Sequence, residues 1–207
     1  MKIITLTVGP VSTNSYILYD DLTLKGILID PGDEAIRILA EIGGLGLDIV
    51  AVLVTHGHFD HIGAVDRTAS ALEVPVYGSK QDAALAADIN LNRSGLMGRD
   101  PITCKITEFL TDEQVLDFGF VKIHALFTPG HTHGHMCYYL PTENILFTGD
   151  LLFKGTHGRY DMPTANYEHL KQSLFRLFEF PEHTKVYPGH GETTDIGYEK
   201  HHNMIFD

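Results

Sequence analysis

The sequence predicts an α/β fold in which short apolar strands alternate with amphipathic helices. Three observations carry this expectation. Residues 55–61 read T-H-G-H-F-D-H and follow the apolar run Ile49–Val54, which has the character of a buried strand. The same grammar recurs three times: Ala125–Thr128 then Pro-Gly-His131, Ile145–Thr148 then Gly-Asp150, and Val186–Tyr187 then Pro-Gly-His190. Each β-rich run stops at Gly or Pro and delivers a metal-capable side chain. Helical periodicity then fills the spaces between strands.

Taken in order, residues 2–8, 14–19 and 24–29 have strand composition and turns between them, an antiparallel opening. A helix is expected over 34–42, with Ile36, Leu39 and Ala40 on its apolar face. Strand 49–54 leads into the His/Asp loop, and Ile62, Val65, Ala69 and Leu72 mark a helix directly after it. Asp60 and His61 then sit at a helix N-terminus, where a carboxylate is electrostatically favoured. A strand at 74–77 and a helix at 80–86 follow. Residues 87–105 mix Gly, Asn and Arg without period, which favours a loop on the substrate side over an inert connection. Strands are expected at 114–117, 120–127, 136–140 and 144–147. Tyr167, Leu170, Leu174, Leu177 and Phe178 trace a long amphipathic helix capped by Thr164 or Asn166. A strand at 185–187 and a helix near 195–205 complete the chain. Both halves end as strand, ligand loop, helix, which points to an internal pseudo-duplication. No linker or low-complexity segment interrupts residues 1–207, so one domain is expected.

The four strand ends supply His56, His58, Asp60, His61, His131, Asp150 and His190. Imidazole and carboxylate are ligands for zinc and iron. Five imidazoles and two carboxylates exceed one tetrahedral site and suffice for two ions sharing a carboxylate. Scattered surface polarity would have to reproduce four strand-end coincidences. Gly57, Gly63, Gly130, Gly149 and Gly189 read as backbone permissions for tight ligand loops.

These blocks, with G-R-Y-D at 158–161 and P-G-H-G at 188–191, resemble the metallo-β-lactamase superfamily in its glyoxalase II-like hydrolase branch, over nearly the whole chain. The resemblance implies an αββα sandwich, two mixed sheets face to face with helices outside and metals at one edge. It implies that His56, His58 and His131 hold one ion, that Asp60, His61 and His190 hold a second, and that Asp150 bridges them. True β-lactamases of the superfamily place Cys at the bridging position, so Asp150 argues against antibiotic hydrolysis. The implied cofactor is two Zn²⁺, with iron and manganese accepted by the same donors. A water shared by two ions about 3.5–4 Å apart ionises near neutrality and serves as nucleophile. No Ser or Cys is then needed. Asp60 doubles as the group that orients the hydroxide, and thioesters or activated esters suit the apparatus because their leaving group needs no strong acid.

The resemblance also frames the substrate. Arg159 falls where glyoxalase II has a cation near the glutathione glycine carboxylate; the other reading is an ion pair with Asp161. The helical domain that completes the glutathione site in glyoxalase II has no counterpart in these 207 residues, and the Tyr of its Glu-Tyr-Thr sequence is missing beside Gly191-Glu192-Thr193. His157 and Tyr160 replace an aliphatic and a small hydroxyl residue of related short hydrolases. His135 reads equally as a support for the ligands or as an ordinary histidine, and His133 as a surface group. His124, His169, His183, His201 and His202 read as ordinary core or surface groups. Two other readings stay open: a mononuclear iron persulfide dioxygenase and a non-enzymatic metal-binding protein.

Composition narrows the partners. The chain has 207 residues, 43% hydrophobic content and a net charge of −12, which disfavours nucleic acid. The first ten residues lack a signal-peptide pattern, and no stretch approaches a membrane span. Cys104 and Cys137 form no C-x-x-C and read as reduced thiols of a cytoplasmic protein, with a disulfide between them as the alternative. A small-molecule acyl-thiol conjugate is the expected partner.

Overall fold

A computed structural model describes residues 1–96 and 100–206. The chain divides into two compact units, Met1–Leu110 and Thr111–Asp207.

The first unit is a six-stranded mixed sheet in the order β1-β2-β3-β4-β5-β6. Strands β1 (Lys2–Val8), β2 (Thr13–Tyr19) and β3 (Lys25–Ile29) form the antiparallel opening. Helix α1 (Ala35–Leu45) then crosses to β4 (Asp48–Leu53), which lies parallel to β3. A short helix α2 (Phe59–Ile62) and helix α3 (Val65–Leu72) lead to β5 (Val76–Ser79), and α4 (Lys80–Ala87) precedes β6 (Glu108–Leu110). Strands β3 to β6 are mutually parallel. Their C-terminal ends therefore open at one edge, and His56, His58, Asp60 and His61 follow β4 at that edge. The unit's core joins Ile17 and Leu28 of the sheet to Ile38 and Ile42 of α1 and Ile62 and Val65 beside the His/Asp loop. Full burial of each such side chain contributes about 1.5–3 kcal/mol, so the loop grows out of a well-anchored core.

Helix α1 differs from expectation. It buries Ala35, Ile38 and Ile42, not the stripe Ile36, Leu39 and Ala40, and Ile36 is 66% exposed. The segment Ala35–Ile42 is apolar at six positions, so two stripes a helical step apart are both available. Packing against the sheet selects the one carrying Ile38 and Ile42. The helix expected after the ligand loop is broken at Gly63–Ala64, where a Cβ on Gly63 would overlap the Gly32 carbonyl oxygen.

The second unit is also a six-stranded mixed sheet, in the order β14-β13-β10-β9-β8-β7. Strands β7 (Gln114–Asp117), β8 (Lys122–Phe127), β9 (Met136–Leu140) and β10 (Ile145–Gly149) form an antiparallel meander. A two-stranded ribbon follows, β11 (Leu152–Phe153) and β12 (Thr156–His157). Helix α5 (Tyr167–Phe178) crosses to β13 (Lys185–Pro188), parallel to β10. Strand β14 (Thr194–Asp195) and α6 (Ile196–His202) complete the unit. Asn166, not Thr164, caps α5, accepting from the His169 amide. Leu170, Leu174 and Leu177 seal α5 against Leu126, Leu146 and Val186. Because β8, β10 and β13 run the same way, His131, Asp150 and His190 all emerge at one edge of this sheet. Among the described residues, no helix is long and apolar enough to cross a membrane.

Candidate metal centre

In the first unit hydrogen bonding fixes the imidazoles. Asp30 ends β3 and is 2% exposed. Its Oδ1 accepts from the Thr55 amide at 2.7 Å, and its Oδ2 accepts from Thr55 Oγ1 at 2.6 Å. Oδ2 also meets His61 Nδ1 at 2.8 Å, so that nitrogen carries the proton. Thr55 Oγ1 has spent its hydrogen on Asp30. It therefore accepts from His56 Nδ1 at 3.1 Å. Both rings are set as Nδ1–H tautomers and present Nε2 lone pairs. His61 Nε2 faces Asp60 Oδ2 at 3.5 Å, and Thr13 Oγ1 orients the same oxygen at 2.9 Å. Ligand atoms of His56 and His58, and of His56 and His61, lie within 4.8 Å of one another. The Gly57 amide is tied to buried Asp82 Oδ2 at 2.8 Å, and a Cβ on Gly57 would press on the Asp82 carbonyl. The Phe59 amide donates to Asn92 O at 2.9 Å, so the irregular segment braces the start of α2. Residues 97–99 of the expected substrate-side loop lie outside the described residues.

The second unit repeats the logic. His131 Nδ1 donates to the Arg159 carbonyl at 2.9 Å, which again leaves Nε2 as a lone pair. That lone pair faces Asp150 Oδ2 at 3.5 Å, and His190 Nε2 faces the same oxygen at 3.5 Å. His135 is fully buried and its Nε2 accepts from the Asp150 amide at 3.2 Å, while Nδ1 reaches Thr128 Oγ1 at 3.0 Å. His135 thus positions the main chain of Asp150, and His133 is exposed.

Nε2 atoms and carboxylate oxygens facing each other at 3.5 Å are held together by a proton or a metal ion between them. Two ligand atoms about 2.1 Å from a tetrahedral ion sit about 3.4 Å apart. The spacing in each unit is that of a tetrahedron edge, and the Nδ1 anchors are the outer-sphere partners metal-bound imidazoles need. The donor set therefore fits divalent metal.

Two glycines make room for the carboxylates. A Cβ on Gly32 would overlap the Asp60 carbonyl oxygen, and a Cβ on Gly158 would overlap that of Asp150. Neither glycine, nor Asp30, Asp82 or Thr13, stood out in the sequence. Asp30 had a usable signal, since Ile27-Leu-Ile-Asp-Pro-Gly32 is one more apolar strand ending in a carboxylate and a Pro-Gly turn.

Arg159 takes the paired geometry. Its Nε and one terminal nitrogen engage Asp161 Oδ1 and Oδ2, both at 2.9 Å, and Asp161 holds the guanidinium pKa above its ordinary value. The two side chains are 67% and 63% exposed.

Comparison with known proteins identifies the family. The model of the metallo-β-lactamase superfamily matches residues 8–190. The chain belongs to that superfamily. Its fold class, mixed sheets with flanking helices, is the family's. A probable metallo-hydrolase of Bacillus subtilis, YqgX, is 38% identical over 100% of this chain and 98% of its own. The hydroxyacylglutathione hydrolase GloC of Haemophilus influenzae is 31% identical, covering 100% and 99%. Among solved structures, the BLEG-1 B3 metallo-β-lactamase aligns at TM-score 0.93 and 36% identity over 98% of both chains. TTHA1623 in a di-iron-bound form aligns at TM-score 0.88 and 38% identity, covering 97% and 98%. The chain is thus a metallo-hydrolase of this superfamily with a His/Asp metal-binding cluster.

Proposed function

We propose that this protein is a dinuclear-metal hydrolase of small thioesters or esters, resembling hydroxyacylglutathione hydrolase. The observation that carries the reading is Asp150 Oδ2, equidistant at 3.5 Å from two imidazole nitrogens, the placement a shared ligand requires. In this reading His56, His58 and His131 would hold one ion, Asp60, His61 and His190 the other, and Asp150 would be shared. When bound, two such ions would supply a water ionised near neutrality and a polarised carbonyl. The chain's own groups do the positioning. Asp30 and the Arg159 carbonyl hold two rings with Nε2 forward, Thr13 turns Asp60, and His135 holds the Asp150 backbone. Asp60, with one oxygen restrained by Thr13, orients the attacking water. The bond broken is acyl carbon to sulfur or oxygen, and the products are a carboxylic acid and a thiol or alcohol.

The likeness to GloC favours an acyl-thiol substrate, and the di-iron form of TTHA1623 makes iron a counterpart to zinc. A cytoplasmic setting accords with two buried free cysteines. Elemental analysis of purified protein should give close to two ions per chain, and thioester hydrolysis should depend on them. A single iron in fully loaded protein, with persulfide oxidation in place of hydrolysis, would transfer the assignment to the dioxygenase reading. Because one similar structure is a β-lactamase, a cephalosporin belongs in the same assay, and lactam turnover exceeding thioester turnover would replace the substrate class. Asp150→Ala should abolish hydrolysis and leave the far-ultraviolet circular dichroism spectrum unchanged. Retained activity would sink the ligand assignment.

A further inference from the structure

We infer that an aromatic group formed by His157, Tyr160 and Tyr167 receives a flat apolar substituent of the substrate, so that the preferred substrates are thioesters or esters carrying an aromatic ring. The inference rests on the hydrolase reading and concerns its substrate class. Tyr160 and Tyr167 have ring centroids 4.7 Å apart, and His157 lies 6.0 Å from Tyr160. Tyr160 is 47% exposed and Tyr167 39%, so both residues keep surface that a third ring can meet.

The group is tied to the metal-binding residues by the main chain. Gly158 lies against the Asp150 carbonyl, and the Arg159 carbonyl accepts from His131 Nδ1 at 2.9 Å. Tyr160 is the next residue, so its ring stands on the segment that positions His131. The Arg159 guanidinium beside it presents both arms of its fork to Asp161. The chain's net charge of −12 opposes an anionic ligand. What the segment offers a substrate is π surface. Aromatic pairs prefer tilted or offset geometry, and the 54° angle between the tyrosine rings leaves an oblique face of this kind.

The test uses zinc-loaded protein and substrates differing only in one ring. Phenylacetyl and acetyl thioesters of N-acetylcysteamine place the ring on the acyl side, and benzyl and ethyl thioacetates place it on the thiol side. The wild type should prefer the ring-bearing member of at least one pair, and the pair identifies the side. In Tyr160→Ala the ratio of aryl to alkyl kcat/KM should fall roughly three- to tenfold, mainly through KM, and Tyr160→Phe should keep it. Calorimetric titration with the benzyl thioether of N-acetylcysteamine, which cannot be hydrolysed, should show binding that Tyr160→Ala weakens by a similar factor. Hydrolysis without aryl preference, or equal losses on aryl and alkyl members, overturns the inference while leaving the hydrolase intact. No hydrolysis by the wild type, with thioether binding that depends on Tyr160, defeats the hydrolase reading and supports the aromatic site. Neither hydrolysis nor thioether binding overturns both.

Discussion

Asp30→Asn isolates the contribution of a residue that touches no substrate. The carboxylate accepts three hydrogen bonds, two from Thr55 at 2.6 and 2.7 Å and one from His61 Nδ1 at 2.8 Å. An amide has one accepting oxygen. If that oxygen keeps His61 and Thr55 Oγ1, the new NH₂ is thrust at the Thr55 amide, and a buried donor goes unmet. That costs about 1–3 kcal/mol, roughly 2–12 °C in Tm for a chain of this size. If the amide flips, NH₂ faces His61 Nδ1, and relief comes from moving the ring proton to Nε2. That proton then occupies the lone pair that faces Asp60. Loss of such an outer partner lowers metal affinity about 10- to 100-fold. Melting of metal-stripped protein reads the first cost, and zinc competition against a chromophoric chelator reads the second. A variant that melts with the wild type and binds zinc within twofold would refute the assignment of Asp30 as the His61 anchor.

Gly158→Ala should be worse than its size implies, because the added Cβ overlaps the Asp150 carbonyl and sits 3.2 Å from His131 Nδ1. Displacement on the order of 1 Å at these groups should lower kcat about 100-fold, and full activity by stopped-assay kinetics would contradict the described packing. Arg159→Ala should lower Tm by less than about 4 °C, since exposed pairs are worth roughly 0–1 kcal/mol. It should affect anionic and neutral thioesters alike; a KM rise confined to the anionic substrate would restore Arg159 as a carboxylate clamp. Burial, with Asp66 adding to it, pushes the Cys104 thiol up to about 12. At pH 8 its thiolate population is on the order of 10⁻⁴, so a thiol-specific reagent should label it only after unfolding. The sign for stability follows: the neutral thiol is favoured by the folded state, so its contribution is complete below about pH 8.5 and is lost as pH rises toward 12. Tm measured from pH 8 upward should decline, and rapid native labelling of Cys104 at pH 8 would contradict its burial.

The seven metal-type residues were legible because their signal is local. Each follows an apolar run and a Gly or Pro within a few residues, and the parallel strands β3–β6 and the co-directed β8, β10 and β13 carry that local rule to a sheet edge. Asp30, Thr13 and Asp82 escaped because one polar residue after a strand has many uses, and only contacts 25 to 47 residues away distinguish them. Gly32 and Gly158 escaped for the same reason, since what forbids a side chain there is a remote carbonyl. The face of α1 failed differently: the helix is apolar on two adjoining stripes, and periodicity has no means of choosing between them. Strands β6, β11, β12 and β14 span two or three residues, too few for alternation to register. The loop at 87–105 looked shapeless, yet buried Asn92 donates to the Ala86 and Ile102 carbonyls and gives it an internal frame.

Each anchored imidazole takes its orienting partner from its own unit, Asp30 for His61 and the Arg159 carbonyl for His131. Each carboxylate likewise has its own glycine pad, Gly32 under Asp60 and Gly158 under Asp150. The consequence is genetic as much as chemical. Either half can drift in sequence without first renegotiating the supports of the other.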